Sequence, residues 1–136
     1  MMTLDEALAR TTAEERERSL VITDPRQDDN PIVFANDAFI RTTGYERYEA
    51  LGRNCRFLQG DDTNPASIDA IRDAIARRVP MTVDILNYRK DGTPFWNRLR
   101  IKPVFTEAGL LDSFVGFQNT IEAAEVRPEP LEGIWD

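Results

Sequence analysis

Three stretches of strand character follow one another in the second half of the chain, at residues 81–89, 95–104 and 110–119. The turns between them are Lys90-Asp91-Gly92-Thr93 and Glu107-Ala108-Gly109. Connections this short, each carrying a glycine, join antiparallel neighbours and leave no room for a crossover helix. Any fold of this chain must therefore contain a three-stranded antiparallel meander.

Strand side chains alternate between two faces. One face carries Met81, Val83, Ile85 and then Asn87; on the next strand it carries Phe95, Asn97, Leu99 and Ile101; on the third it carries Phe114, Gly116 and Gln118. An amide thus interrupts a largely apolar face on each of three consecutive strands. A buried amide without partners costs roughly 1–3 kcal/mol. Taken singly, each fits a strand end bonded to backbone or water. Together they suit a planar heterocycle with donors and acceptors along one edge, and Gly116 leaves room for a ring close to the backbone.

The first half supplies helices and two short strands. Residues 3–18 read as a helix with a Thr3/Glu6 capping box and a short stripe of Leu4, Ala7 and Leu8 before a charged, solvated run at 14–18. Strands at 20–23 and 32–34 flank a polar loop; Asn36 can cap a helix over 37–43, and Gly44 follows where a helix end wants positive φ. Short helical turns are expected at 46–51 and 54–58, and Asn64-Pro65 opens a helix running to about residue 78. The tail holds Pro128 and Pro130, so no long helix continues through it; Leu131, Ile134 and Trp135 suggest an apolar turn at the end. The expected fold class is α+β, a five-stranded antiparallel sheet with helices packed on one face. The expected organisation is an N-terminal helical cap over 1–19, a core domain over 20–121 and a short C-terminal extension over 122–136.

Composition excludes several functions. The 136 residues carry a net charge of −7 and no long basic run, which argues against nucleic-acid binding. There is no histidine and one cysteine, Cys55. Cys-His and Ser-His pairs, His-ligated zinc, a phosphoacceptor histidine and an internal disulfide are therefore all ruled out, and no metal site is expected. The absence of an apolar run of membrane-spanning length or of a signal peptide points to the cytoplasm and away from a membrane.

The lone cysteine lies in Gly52-Arg53-Asn54-Cys55-Arg56-Phe57-Leu58-Gln59-Gly60, among arginines and amides. Gln59 shares its helical face at i+4. In the helix from Asn64, Arg72 lies within the stripe of Ile68, Ile71, Ile75 and Val79. Arg56 and Arg72 could clamp a phosphate with bidentate hydrogen bonds, since no glycine-rich phosphate loop exists here. A nearby cation favours the Cys55 thiolate, but one engaged by phosphate does not, so the resting protonation state stays open.

The nonamer resembles the signature of the LOV domains, the flavin-binding blue-light sensors of the PAS superfamily. The likeness extends from about Val21 to Ile121, through Asn-Pro-Ile-Val-Phe-Ala-Asn-Asp-Ala-Phe (30–39), Asn-Tyr-Arg-Lys-Asp-Gly-Thr-Pro-Phe-Trp-Asn (87–97) and Phe-Val-Gly-Phe-Gln (114–118). Four ordered blocks make chance negligible.

The resemblance implies a PAS/LOV fold that binds FMN non-covalently and senses blue light, with no enzymatic activity. It implies that the sulfur of Cys55 bonds reversibly to the flavin C4a carbon after excitation, while N5 gains a proton. Asn54 and Gln59 match residues on the ribityl chain or ring, Arg56 and Arg72 the phosphate pair, and Asn87 and Asn97 the pyrimidine edge. Gln118 matches the amide that reorients when N5 is protonated, and Thr23 and Asn36 join the cofactor-binding set. The expected protein is a short LOV photoreceptor without an effector domain, a homodimer whose self-association, or binding to an unknown protein partner, changes with light through its flanking segments. Two other readings fit part of the pattern. One is a PAS-type module for another small ligand, with Cys55 merely structural. The other is a flavin-dependent oxidoreductase, for which about 100 core residues leave little room.

Overall fold

The computed structural model describes residues 18–133. The expected helix over 3–18 falls almost wholly outside them, as do Ile134 and Trp135. The meander forms as its turns dictate. Strands β3 (Met81–Tyr88), β4 (Pro94–Phe105) and β5 (Leu111–Ile121) pair antiparallel in sequence. The first turn closes through Arg89 N–H to Thr93 O at 2.9 Å, with Gly92 at φ +88°. The second closes through Thr106 N–H to Leu110 O at 2.8 Å.

Strand β1 (Ser19–Thr23) pairs with β5 on one side and with β2 (Ile32–Ala35) on the other. A sixth strand, β6 (Leu131–Glu132), completes the spatial order β2-β1-β5-β4-β3-β6. Five strands were expected; the sixth arises because the proline-bearing tail stays extended and reaches the open edge of β3 at Met81 and Thr82. Leu131 therefore lies in a strand rather than in a helical turn. Arg77 holds the neighbouring Glu132 with two hydrogen bonds of 3.1 and 2.7 Å, and Gly133 N–H donates to Pro80 O at 2.7 Å.

Helix α1 (Asp37–Thr43) begins at Asn36, whose side chain accepts from Phe39 N–H, and ends at Gly44 with φ +78°. Helix α2 (Arg47–Ala50) is a single turn closed by a Glu46/Glu49 capping box. Helix α3 (Pro65–Arg77) starts from the Asn64 cap with proline in its first turn. Phe39 of α1 is buried with Val21, Ile32 and Ala35, while Ala70, Ile71 and Ala74 of α3 pack with Met81, Val83 and Leu99. Among the described residues these helices cover the sheet face that carries Val21, Val83 and Leu99. The opposite face buries Leu20, Ile22, Val115 and Phe117. No helix of the described residues is long and apolar enough to cross a membrane.

The segment between α2 and α3 is pinned at both ends, and this sets the position of the cysteine. Gly52 N–H donates to Ile32 O at 2.9 Å, and Ile32 N–H donates to Arg53 O at 2.8 Å. At the far end Thr63 Oγ donates to Leu86 O at 2.7 Å and Asp62 N–H donates to the Tyr88 hydroxyl at 3.1 Å. Gly60 is required there by close approach, because a Cβ would overlap the Tyr88 ring. Between these anchors lies one 3₁₀ turn, Cys55–Leu58, capped by Asn54.

Candidate functional site

The register of the meander brings its three amides to one side. Asn97 pairs with Ile85, two residues before Asn87, and Leu99, two residues after Asn97, pairs with Gln118. The three therefore run diagonally across one face, beneath the Cys55 turn and α3. All three line a cavity between sheet and helices, with Cys55 and Gln59 on its opposite wall. Ile71, Ile85, Leu99, Ile101 and Phe114 supply apolar walls suited to the faces of a flat ring. At Gly116 a Cβ would stand 3.3 Å from Val21 Cγ2 and 3.7 Å from Leu99 Cδ1, so glycine keeps the sheet low where the cavity meets it.

The polar groups of this cavity are not all paired. Asn97 Nδ2 donates to Asn87 Oδ1 at 3.0 Å, and Asn87 Nδ2 donates to Leu86 O at 3.2 Å. Asn97 Oδ1, Thr23 Oγ1 and Asn30 Oδ1 are buried without a hydrogen-bond partner, and all three residues line the cavity. Each such atom costs about 1–3 kcal/mol. A ligand with polar groups on its rim removes that cost. Gln118 Oε1 accepts from Ser19 Oγ at 2.6 Å, deep in the sheet.

Cys55 keeps some accessible surface on the cavity side, while the rest of it packs against the cluster of Val21, Ile32 and Leu58. Burial pushes the thiol up to about 12, outweighing a backbone hydrogen bond that favours the thiolate. Cys55 is therefore a neutral thiol at neutral pH. The flanking arginine does not oppose this, because its guanidinium is turned outward.

That outward side is a polar mouth which shares Asn30, Asn54, Gln59 and Ile75 with the cavity. Arg56 and Arg72 both line it, coming from the Cys55 turn and from α3. Arg72 is more exposed than its place in the apolar stripe suggested, with 76% of its side chain accessible and a 3.3 Å ion pair to Asp69. Arg56 is held by Asp29, through Nη1 to Oδ1 at 2.8 Å and Nη2 to Oδ2. Asn54 is committed to local structure, accepting from Arg56 N–H at 3.0 Å and donating to Asp29 O at 2.8 Å.

Two residues need separate comment. Asn36 does not line the cavity, and the expected cofactor contact is corrected: its amide donates to Arg18 O at 2.6 Å and accepts from Leu20 and Phe39 N–H, both at 3.0 Å. Its helix-capping role uses up both ends of the side chain. Asn30, by contrast, was read as the end of the polar loop and the start of the 30–39 block, with no site role. Its left-handed backbone, φ +47°, turns the residue just before Pro31 into the cavity wall, and nothing in the pattern of apolar residues signalled that. Among the described residues no group of His, Cys, Asp and Glu side chains could hold a metal ion.

The PAS domain family matches residues 18–121. A blue-light-activated histidine kinase of Brucella canis is 56% identical over 99 residues, covering 73% of this chain and 20% of that protein. The dark structure of the blue-light photoreceptor Aureochrome1 LOV superposes with a TM-score of 0.81 at 40% identity, covering 91% of this chain and 89% of the other. The chain is a LOV domain of the PAS family. A LOV domain solved in work on a flavin analogue is also similar, with a TM-score of 0.78, 43% identity and 79% of each chain covered. The LOV domain spans about a fifth, 20%, of the length of the curated histidine kinase relatives it matches. The chemistry of the cavity lining suits a flavin chromophore, since a planar ring with a polar rim matches apolar walls, three unpaired buried oxygens and the glycine at 116.

Proposed function

We propose that this LOV domain is a blue-light sensor that binds FMN and responds through Cys55, with the response carried outward by Gln118. The observation that carries the reading is one cavity in which a half-buried neutral thiol faces three strand amides and three unpartnered oxygens. When bound, the flavin supplies visible-light absorption and an excited state able to bond reversibly to a thiol sulfur.

The chain's own residues do the rest. Burial holds the proton on Cys55 Sγ, so sulfur and proton are both present at the ring. Asn87 and Asn97 fix the polar edge, Gln59 and Thr23 add groups on the other walls, and Asn54 caps the turn that carries the sulfur. Arg56 and Arg72 at the mouth suit a terminal phosphate, and no insertion between Cys55 and Arg72 widens the mouth for a larger nucleotide. An amide offers a donor on one side and an acceptor on the other, so rotating Gln118 exchanges them. Its Oε1 is bonded to Ser19, the first residue of β1, so rotation breaks a buried contact at the strand that leads back to the N-terminal segment.

The role is sensory rather than enzymatic. Its output is a light-dependent change in homodimerisation or in binding a protein partner through the flanking segments. A free cysteine that must stay reduced suits a reducing cytoplasm. The purified protein is expected to be yellow, to bleach reversibly under blue light, and to keep its colour without bleaching as Cys55→Ala. A colourless protein that takes up no added FMN overturns the reading. Identical scattering mass in dark and light at several concentrations overturns the self-association output.

A further inference from the structure

The mouth has an unexpected charge for a phosphate site. The described ionisable side chains that line it are Asp28, Asp29, Arg56 and Arg72, two cations against two anions. Asp69, paired with Arg72 at 3.3 Å, adds a third carboxylate beside them. Asp29 meets the Arg56 guanidinium with both carboxylate oxygens, the geometry that a phosphate would itself use. Its placement is built rather than incidental. Asp29 and Asn30 are consecutive non-glycine residues in the left-handed region, with φ of 65° and 47°. Asn54 Nδ2 holds Asp29 O at 2.8 Å, and Asn30 N–H donates to Gln27 O at 3.2 Å.

A guanidinium has five N–H donors, and this carboxylate engages two of them. The remaining three can still meet a phosphate oxygen, but the charge they would bring is already offset. A phosphate of charge ≈ −1.5 to −2 must then displace Asp29 from Arg56 or sit beside it. The ring and ribityl chain of the same flavin without phosphate face no such competition.

Resting on the flavin reading above, we propose that Asp29 is a specificity-determining residue: by occupying Arg56 it weakens the preference for phosphorylated flavin and lets riboflavin compete with FMN for the site. The cation that recommends FMN is shared with a carboxylate of the chain itself. The Asp29–Arg56 pair is more than half exposed, so the effect is moderate and salt-sensitive.

The test uses the full chain, freed of flavin, titrated with FMN and separately with riboflavin by quenching of flavin fluorescence. Asp29→Asn keeps the backbone carbonyl that Asn54 holds, and asparagine tolerates left-handed φ. It is expected to tighten FMN about five- to tenfold while changing riboflavin less than about twofold. The gain should shrink in about 0.5 M salt and vanish in an Arg56→Gln background. Unchanged riboflavin affinity doubles as the folding control, and Asp29→Gly repeats the test if Asp29→Asn does not fold. An unchanged FMN-to-riboflavin ratio overturns the proposal. So does weaker FMN binding by Asp29→Asn, which would make Asp29 a residue that aims Arg56 at phosphate. If the unmodified chain binds neither flavin, the flavin reading fails first and this inference with it.

Discussion

Asp84 and Arg98 face each other across the β3–β4 ladder, and on the next rung Ile85 faces Asn97. The two polar groups lie on opposite faces of one sheet and are treated in opposite ways. Asp84, with 1% of its side chain exposed, accepts from Arg98 Nε at 2.8 Å, from Arg98 Nη2 at 3.0 Å and from Arg127 N–H at 2.7 Å. Asn97, equally buried, leaves Oδ1 without a partner, as Thr23 and Asn30 leave theirs on the same cavity. A charge buried for stability is surrounded by partners. Those polar atoms on the cavity wall have no such partners within the chain. Burial alone does not tell the two apart; missing partners together with a place on the cavity wall do, since Asp112 Oδ1 and Ser113 Oγ are also buried without a hydrogen bond away from the cavity.

The difference can be broken by mutation. Asp84→Ala leaves Arg98 Nε and the Arg127 N–H without their acceptor, while Arg98 Nη2 keeps Glu125 O at 3.0 Å, and is expected to cost about 3 kcal/mol, read by urea unfolding. A loss below about 1 kcal/mol would mean that the outer pair is as loosely needed as the inner amides.

Acid sharpens the same contrast. Burial pushes the Asp84 carboxyl up, but the hydrogen bonds from Arg98 and Arg127 N–H outweigh it and hold the group below its ordinary 3.8. A carboxylate lowered in the folded state contributes stability above its ordinary value and loses it as pH falls through the lowered one. Unfolding midpoints should therefore drop on going below pH 3.8, and Asp84→Asn should flatten part of that drop. An equal drop in both proteins would assign the acid sensitivity elsewhere.

The smallest effect is expected on the inner face. Thr23→Val removes an unpaired buried hydroxyl at nearly constant volume. Without flavin the variant should be unchanged or more stable by up to about 1 kcal/mol, while flavin affinity falls several-fold. A destabilised flavin-free variant would show that Thr23 serves the fold.

Much of this was legible in advance because it depends on short-range rules. The helix over 37–43, its Gly44 stop, the Asn64-Pro65 start and the three meander strands follow from caps, turns and alternation, which act over a few residues. The amides at 87, 97 and 118 were visible because they break an apolar alternation. Strand β6 was not, since two residues carry no period and their partner edge is about 50 positions away in the sequence. Asn36 was read correctly as a helix cap but also given a cofactor contact, for a related reason. An asparagine before a helix can cap it or face a ligand, and only its contacts with Arg18 and Leu20 decide.

The order of residues alone was enough for the meander, the lone thiol among amides and arginines, and the exclusion of every chemistry that needs histidine. It could not say that Cys55 is a neutral thiol, because desolvation depends on Val21, Ile32 and Leu58 closing round it from other elements. Nor could it say that Arg56 is already engaged. That contact joins residues 27 positions apart through a left-handed turn, and such long-range pairing of charges is created by packing rather than by any local pattern.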